Sequence, residues 1–157
     1  MSTMDAPLSP PMPRMAIWLG YGGLLPFLVL ATASVVDTPP ALPWSAALLA
    51  YGAIILSFVG ALHWGFAMTL TNLGDDRRNA LLVWSVVPSL LAWPALLLPP
   101  AAACVLLVMG FIAHFRQDRR FVAQDRGSLP DGYLRLRLRL TSVACLSLAA
   151  AGLASTG

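Results

Sequence analysis

The first chemical question concerns His63, which stands inside the apolar run "YGAIILSFVGALHWGFAM" at residues 51–68. An imidazole can make hydrogen bonds, carry a proton, or bind a metal ion or haem iron. The chain has one other histidine, His114, and an axial offset of about one helical turn would let both reach one haem. A proton relay would need carboxylates within the apolar runs, and these runs contain none. Three roles stay open for His63: a structural hydrogen bond, a contact to a small ligand and, as the lesser alternative, haem binding.

The elements that would position these residues follow from the distribution of charge. Of the 157 residues, 58% are hydrophobic and 11% are charged, about half the charged fraction of a typical soluble domain. Four stretches contain no Asp or Arg, and a membrane-spanning helix needs roughly 20 apolar residues. The third stretch is divided by Pro99-Pro100, which ends one helix and lets another begin. We predict an all-α integral membrane protein, with a disordered cytoplasmic tail at 1–14 and a membrane domain at 15–157. Its bundle of five transmembrane helices spans residues 15–36, 44–71, 79–98, 101–117 and 138–155.

The second predicted helix has two faces suited to packing. One face is a ridge of small residues that recur every four positions: Ala53, Ser57, Ala61, Gly65 and Thr69. Such a ridge lets another helix approach closely. The opposite face carries His63 together with Gly52, Leu56, Val59 and Ala67. Because a polar group in a membrane should face protein or water, this helix is predicted to lie at the centre of the bundle.

Two prolines would supply partners for His63. Pro26 removes the hydrogen bond to the carbonyl of Gly22 in the first helix, and Pro88 frees a carbonyl in the third helix in the same way. These carbonyls lie near the depth of His63, and bonding one is worth about 0.6 to 2 kcal/mol in a membrane. The favoured interpretation of His63 is therefore a neutral polar clip between kinked helices.

The alternative is a pocket for a lipid or quinone-like molecule, with His63 as the polar contact and Trp64, Trp84 and Trp93 as aromatic walls. The sequence lacks the motifs of a nucleophile elbow, a zinc protease and a phosphate loop. Its two cysteines are too few for a disulfide framework. The sequence thus indicates no catalytic residue, no metal site and no resident cofactor, and it favours a protein that is not an enzyme.

The arginines predict the orientation in the lipid bilayer. All ten basic residues lie on the side that holds the N-terminus, so the positive-inside rule places the N-terminus in the cytoplasm and the C-terminus in the periplasm of the bacterial inner (plasma) membrane. Arg135, Arg137 and Arg139 are predicted to begin the last helix and to contact anionic lipid headgroups. A nucleic-acid partner is not expected, because the net charge is only +3 and no aromatic residues interleave the basic ones. A signal peptide cleaved after 31–33 is the alternative interpretation of the first helix.

Four stretches carry a family resemblance: "GYGGLLPF", "YGAIILSFVGALHWGFAM", "SVVPSLLAW" and "LPDGYLRLRLRLT". They resemble an uncharacterised family, a domain of unknown function in small bacterial inner-membrane proteins with a mitochondrial relative, transmembrane protein sixty-nine. The resemblance covers residues 18–141. It implies a multi-pass membrane protein of unestablished role and supplies no catalytic residues. The favoured function is a non-catalytic helper or subunit of a membrane complex, whose protein partner would contact the small-residue ridge and the basic loop.

Overall fold

The computed structural model describes residues 10–37, 42–71, 73–124 and 129–155. Within these ranges the regular structure is helical, apart from one isolated bridge between Pro11 and Asp131. The predicted all-α class is therefore confirmed. The helices are α1 (Arg14–Gly22), α2 (Leu25–Val36), α3 (Trp44–Thr69), α4 (Asp75–Ala95), α5 (Pro100–Gln124) and α6 (Tyr133–Ala154).

The first predicted helix is divided into α1 and α2 at Gly23 and Leu24. Pro26 stands in the first turn of α2, where its missing N–H costs no helical hydrogen bond. The hydroxyl of Tyr51 on α3 donates a 2.8 Å hydrogen bond to the carbonyl oxygen of Gly23. The break in the helix is thus stabilised by a tyrosine three turns away from His63, and the histidine takes no part in it.

Helix α3 packs against α2, α4, α5 and α6, which agrees with its predicted central position. The predicted face of His63 is buried, together with Gly52, Leu56, Val59 and Ala67. The predicted ridge is only partly in contact: Ala53 is buried, whereas Ala61 and Gly65 are exposed. The close approach of α3 to α4 occurs instead at Gly60, where an added Cβ would lie 2.9 Å from Pro88 Cγ and 2.9 Å from Ser85 O.

The turn between α3 and α4 is closed by Arg78. Its guanidinium donates hydrogen bonds to the carbonyl oxygens of Ala67 and Leu70, at the end of α3. These carbonyls have no partner within their own helix, so a cation here satisfies them. After α4, the chain turns at residues 96–98 and Pro100 begins α5, as the double proline predicted.

Helix α5 is longer than predicted, because it continues past residue 117 to Gln124. The predicted cytoplasmic loop is correspondingly shorter, and its residues 125–128 lie outside the described part of the chain. Helix α6 begins at Tyr133, five residues before the predicted start at 138, and it includes the alternating Leu-Arg segment that was expected to begin the last helix. Gly132 precedes it with φ +89°, a left-handed conformation that glycine adopts without strain.

The predicted tail lies outside the described residues as far as residue 9. Its last residues contact the segment before α6: the backbone N–H of Asp131 donates a 3.1 Å hydrogen bond to the carbonyl oxygen of Pro10. This contact, together with the bridge between Pro11 and Asp131, ties the beginning of α1 to the beginning of α6.

Among the described residues, four segments are long and apolar enough to cross a membrane: Arg14–Val36, Trp44–Thr69, Pro100–Gln124 and Tyr133–Ala154. The sequence prediction was five. Helix α4 accounts for the difference, because its first turn carries two aspartates and two arginines and its interior carries two prolines. The first of the four segments combines α1 and α2.

Candidate functional site: a buried polar cluster around Asp118

Asp118 lies in α5 and is only 1% exposed. The buried positions of this helix follow a helical spacing that passes directly through it: Leu107, Phe111, His114, Asp118 and Phe121. The carboxylate is therefore on the same face as the core residues. The predicted span ended at residue 117 and contained no carboxylate, but the helix continues and buries Asp118 one residue later.

Arg137 on α6 compensates the charge of Asp118. Its Nε donates a 2.8 Å hydrogen bond to Asp118 Oδ2, and Arg137 itself is 7% exposed. The sequence grouped Arg137 with Arg135 and Arg139 at the membrane surface. Those two are exposed, but Arg137 is two residues from each and points to the opposite face of the helix, into the bundle. A buried arginine needs a partner of opposite charge, and Asp118 supplies it.

Both histidines lie near the other oxygen of the same carboxylate, Oδ1. His63 Nε2 on α3 lies 3.6 Å from Asp118 Oδ1, and His114 Nε2, one turn earlier on α5, lies 3.7 Å from it. The two imidazole rings contact each other edge to face, with centroids 4.8 Å apart. Within the described residues, both ring nitrogens of His63 and Nε2 of His114 are buried without a hydrogen-bond partner. The distances to Asp118 are too long for hydrogen bonds of ordinary strength.

Trp84 on α4 determines which nitrogen of His114 carries its proton. The indole Nε1–H donates a 3.3 Å hydrogen bond to His114 Nδ1. An indole nitrogen only donates, so Nδ1 must accept, and the proton of the neutral ring is assigned to Nε2. That proton is on the side of the ring that faces Asp118.

Aromatic side chains enclose the cluster. Phe66 and Phe121 stack on each other at 5.6 Å, and each contacts the ring of His63 edge to face. Tyr133 at the start of α6 covers Phe66 and points its hydroxyl to Asp118 Oδ1, at 3.4 Å. The cluster of His63, His114, Asp118 and Arg137 thus joins three helices inside an apolar shell.

This geometry changes the interpretation of His63. The predicted hydrogen bond from His63 to a backbone carbonyl freed by a proline is wrong, because the described structure gives His63 no hydrogen-bond partner. Haem ligation by both histidines does not fit either. Their rings are in direct contact, which leaves no room for a porphyrin plane between them. The ring nitrogens and Asp118 could instead hold a metal ion, since their ligand atoms lie within 4.8 Å of one another.

A cavity of about 380 Å³ lies beside the cluster. Its walls come from α1, α2, α3 and α6, with Phe111 of α5 on one side. Tyr133, Arg137 and Thr141 form its polar part, so two residues that contact Asp118 also border the cavity. Of the residues predicted as ligand contacts, neither His63, Trp64 nor Trp84 is among the described residues that line it.

The residues that were predicted to contact a ligand do not all lie together in the structure. Trp84 joins the cluster through His114, whereas Trp64 is 51% exposed and points away from it. Sequence reasoning missed Asp118 and Tyr133, and it placed Arg137 at the membrane surface instead of in the cluster. The signal for Asp118 was present, because it follows His114 by four residues and continues the apolar spacing of its helix. Arg137 and Tyr133 carried no comparable signal.

Comparison with known proteins confirms the family resemblance. A family described as "Protein of unknown function (DUF3429)" matches residues 12–153, a range that contains the whole cluster. The chain is also similar to Transmembrane protein 69 of Xenopus tropicalis, with 39% identity over 140 residues. That alignment covers 87% of this chain and 53% of the relative, so the chain spans about half of the relative's length. No solved structure matches the chain.

Proposed function

We propose that this chain, which belongs to the DUF3429 family of membrane proteins of unknown function, binds a small amphipathic molecule, a lipid or a quinone-like compound, inside its helix bundle. The observation that carries the proposal is the cavity of about 380 Å³ between α1, α2, α3 and α6. Its volume falls within the roughly 300 to 1,000 Å³ of ordinary small-molecule sites. This proposal keeps the ligand class that the sequence indicated and changes the residues that would contact it.

The polar end of the cavity would bind an oxygen-bearing head group. The Nε–H group of Arg137 donates a hydrogen bond to Asp118, and the guanidinium has further N–H donors in the same plane. Tyr133 and Thr141 add hydroxyl groups on the same helix. Because all three lie in the first part of α6, the head group would lie near one membrane surface, with the body of the ligand directed into the bundle.

The remaining walls are apolar and partly open to lipid. Phe27, Ile55 and Ala144 line the inner part of the cavity, whereas Leu19 on α1 and Phe58 on α3 line it while remaining largely exposed. A ligand that partitions into the bilayer could therefore enter between α1 and α3 without crossing an aqueous surface. Such an opening favours a ligand that dissolves in the bilayer over one that is freely soluble in water.

Native mass spectrometry of the full chain, purified in mild detergent, tests the proposal. The probes are the lipids that co-purify, an added short-chain quinone and an added anionic lysophospholipid. Ala16→Trp would fill the cavity from α1, where Ala16 is exposed and lines the rim. We expect the amount of bound ligand to fall at least tenfold in this variant, because the indole occupies the same space.

Ala102→Trp, at an exposed position of α5 away from the cavity, is the matched control and should retain the ligand. Equal binding by both variants, or no stoichiometric adduct in the unaltered protein, would contradict the proposal.

A second candidate is the helper or subunit of a membrane complex that the sequence favoured. The observation in its favour is the unused part of the small-residue ridge. Ala61 and Gly65 are exposed, and no atom lies within 4 Å of a Cβ added at Gly65. A helix of another membrane protein could approach closely here. Ala61→Leu should abolish co-purification of such a partner while Ala102→Leu leaves it unchanged. Retention of a stoichiometric partner by Ala61→Leu would contradict this candidate.

We further propose that α4 is a fifth membrane-spanning helix and that the N-terminus is cytoplasmic. Helix α4 has 21 residues, or about 30 Å at 1.5 Å per residue, which matches a bilayer core. Val83, Leu90 and Trp93 form an exposed apolar strip along it, as expected of a lipid-facing side. In a cysteine-free background, a reagent that cannot cross the membrane should label Leu97→Cys and not Asp75→Cys in intact cells. Labelling of both positions, or of neither, would contradict a crossing by α4.

A further inference from the structure

We propose that His63, His114 and Asp118 form a binding site for a divalent first-row transition metal ion, of which Zn²⁺ is the representative. Two imidazoles and one carboxylate are a common donor set for such ions, and a three-residue set leaves a further position for water or a substrate atom. This proposal does not depend on the cavity ligand.

The two distances to Asp118 are close to those of the proposed coordination. Donor atoms at the usual 2.0 to 2.1 Å from a tetrahedral ion lie about 3.3 to 3.4 Å from one another. Asp118 Oδ1 lies 3.6 Å from His63 Nε2 and 3.7 Å from His114 Nε2. These two separations exceed a hydrogen bond and are close to the edge of a coordination tetrahedron. All the ligand atoms lie within 4.8 Å of one another, so binding would also require the two imidazole nitrogens to move together around the ion.

The nitrogens that would bind the ion have no other partner. His63 is fully buried, and within the described residues its two nitrogens and His114 Nε2 make no hydrogen bond. Buried polar atoms in folded proteins are nearly always paired, and those without partners call for an explanation such as an ion. A metal ion accepts lone pairs from Nε2 of both rings and so gives each of these two nitrogens a partner.

The surrounding residues orient the ligands. Arg137 holds Asp118 through Oδ2 and leaves Oδ1 turned to the histidines. At metal sites, a hydrogen bond of this kind to a ligating carboxylate fixes the orientation of that carboxylate toward the ion. With the ion bound, the cluster would carry a charge of about +2, the same as at a zinc ion held by three neutral histidines. Ionisation of a zinc-bound water would lower that charge further.

Trp84 opposes binding to a limited extent. Its hydrogen bond to His114 Nδ1 keeps the proton on Nε2, the nitrogen that would bind the ion. Binding requires that proton to leave Nε2 and Nδ1 to become the protonated nitrogen, which breaks the bond to Trp84. The two N–H groups would then face each other, and a buried donor left without an acceptor costs about a five- to 150-fold factor in an equilibrium constant. The loss therefore weakens the site without preventing it.

The test uses the full chain in detergent, without a histidine tag and after removal of metal by a chelator. The chain has only two histidines, so imidazole ligation can arise only from His63 and His114. We expect calorimetry to give one Zn²⁺ per chain, and we expect added Co²⁺ to develop the intense visible bands of a tetrahedral complex. Binding of Zn²⁺ should also raise the thermal unfolding temperature.

Variants then identify the ligands. His63→Gln and Asp118→Asn should each weaken Zn²⁺ binding at least about 100-fold, since losing even an outer-shell partner costs about 10- to 100-fold. Asp76→Asn removes an exposed carboxylate on α4. It is the matched control and should leave Zn²⁺ binding unchanged.

Asp118→Asn removes the partner of Arg137 and could prevent folding. In that case the result for His63→Gln tests the proposal, because that variant retains the salt bridge. Failure of the unaltered protein to bind one Zn²⁺, or unchanged binding by folded His63→Gln, overturns the proposal. The Ala16→Trp variant should bind Zn²⁺ normally, which separates this result from that of the cavity ligand.

Discussion

Arg137 Nε and Asp118 Oδ2 lie 2.8 Å apart and join α6 to α5 at a site where both residues are almost completely buried. Each charge is retained inside the bundle only because the other neutralises it. Around this pair, the structure places two histidines, a tyrosine and a tryptophan that were distributed over four helices. The salt bridge therefore lies at the centre of the polar cluster.

Arg137→Gln should destabilise the protein severely. The substitution leaves the Asp118 carboxylate buried without a counter-charge, and breaking a buried ion pair from one side costs about 3 to 5 kcal/mol. The free energy of unfolding can be measured by titrating the purified protein with dodecyl sulfate in mixed micelles. Arg135→Gln, two residues earlier and exposed, is the control and should have a much smaller effect. Equal effects of the two substitutions would mean that the pair contributes nothing particular.

Gly60→Ala should separate α3 from α4. The added Cβ would lie 2.9 Å from Ser85 O, a backbone atom that cannot move aside as a flexible side chain does. Overpacking of this kind costs about 1 to 3 kcal/mol. Gly65→Ala is the matched control on the same helix, because no atom lies within 4 Å of its added Cβ. It should leave stability unchanged or raise it by up to about 1 kcal/mol. The same titration measures both, and similar losses would refute the packing at Gly60.

Tyr51→Phe should loosen the junction between α1 and α2. The hydroxyl of Tyr51 donates to the carbonyl oxygen of Gly23, which the helix break leaves without a helical partner. Hydrogen bonds of this kind in membrane proteins contribute about 0.6 to 1.7 kcal/mol. Hydrogen exchange of the amides in α1 should accelerate, whereas those in the middle of α5 should not change. An unaltered exchange rate in α1 would show that the bond does not hold the junction.

Trp84→Phe should change the protonation pattern of His114. In the unaltered protein the indole donor holds Nδ1 as an acceptor, so the ring is the tautomer protonated at Nε2. Without the indole, both tautomers become accessible, and Zn²⁺ affinity should rise about five- to 150-fold, because binding no longer leaves an indole donor without its acceptor. Nitrogen NMR of a sample labelled in histidine measures the first effect and calorimetry the second. His63 is the internal control, since Trp84 is hydrogen-bonded to His114 and not to it.

Much of the helical framework was predictable because lipid imposes a simple requirement on composition. Long segments without charge must be helical to satisfy their own backbone groups, and this placed α3 to within two residues at its end. The angular position of His63 on α3 also followed from the helical repeat, and the face that it shares with Leu56 and Val59 is buried. These properties depend on one helix at a time.

The cluster was not predictable in the same way, because it depends on pairs of residues from different helices. Asp118 and Arg137 each look like boundary residues when their own segments are considered alone, and only their contact makes both acceptable inside the bundle. For the same reason the end of α5 was placed too early. The ridge through Ala61 and Gly65 was predicted to be a helix contact that the structure does not make. Small residues permit a close approach, but α3 approaches α4 closely at Gly60.

The contact of Pro10 and Pro11 with Asp131 has a topological consequence. Two backbone segments that are hydrogen-bonded to each other must emerge on the same bilayer leaflet, so the chain between them traverses the membrane an even number of times. Three of the four apolar segments fall in that interval, Arg14–Val36, Trp44–Thr69 and Pro100–Gln124, and three is odd. The proposed traverse by α4 would restore even parity, and α6 would then carry the C-terminus to the far side. This support for the proposal makes no use of where the arginines lie.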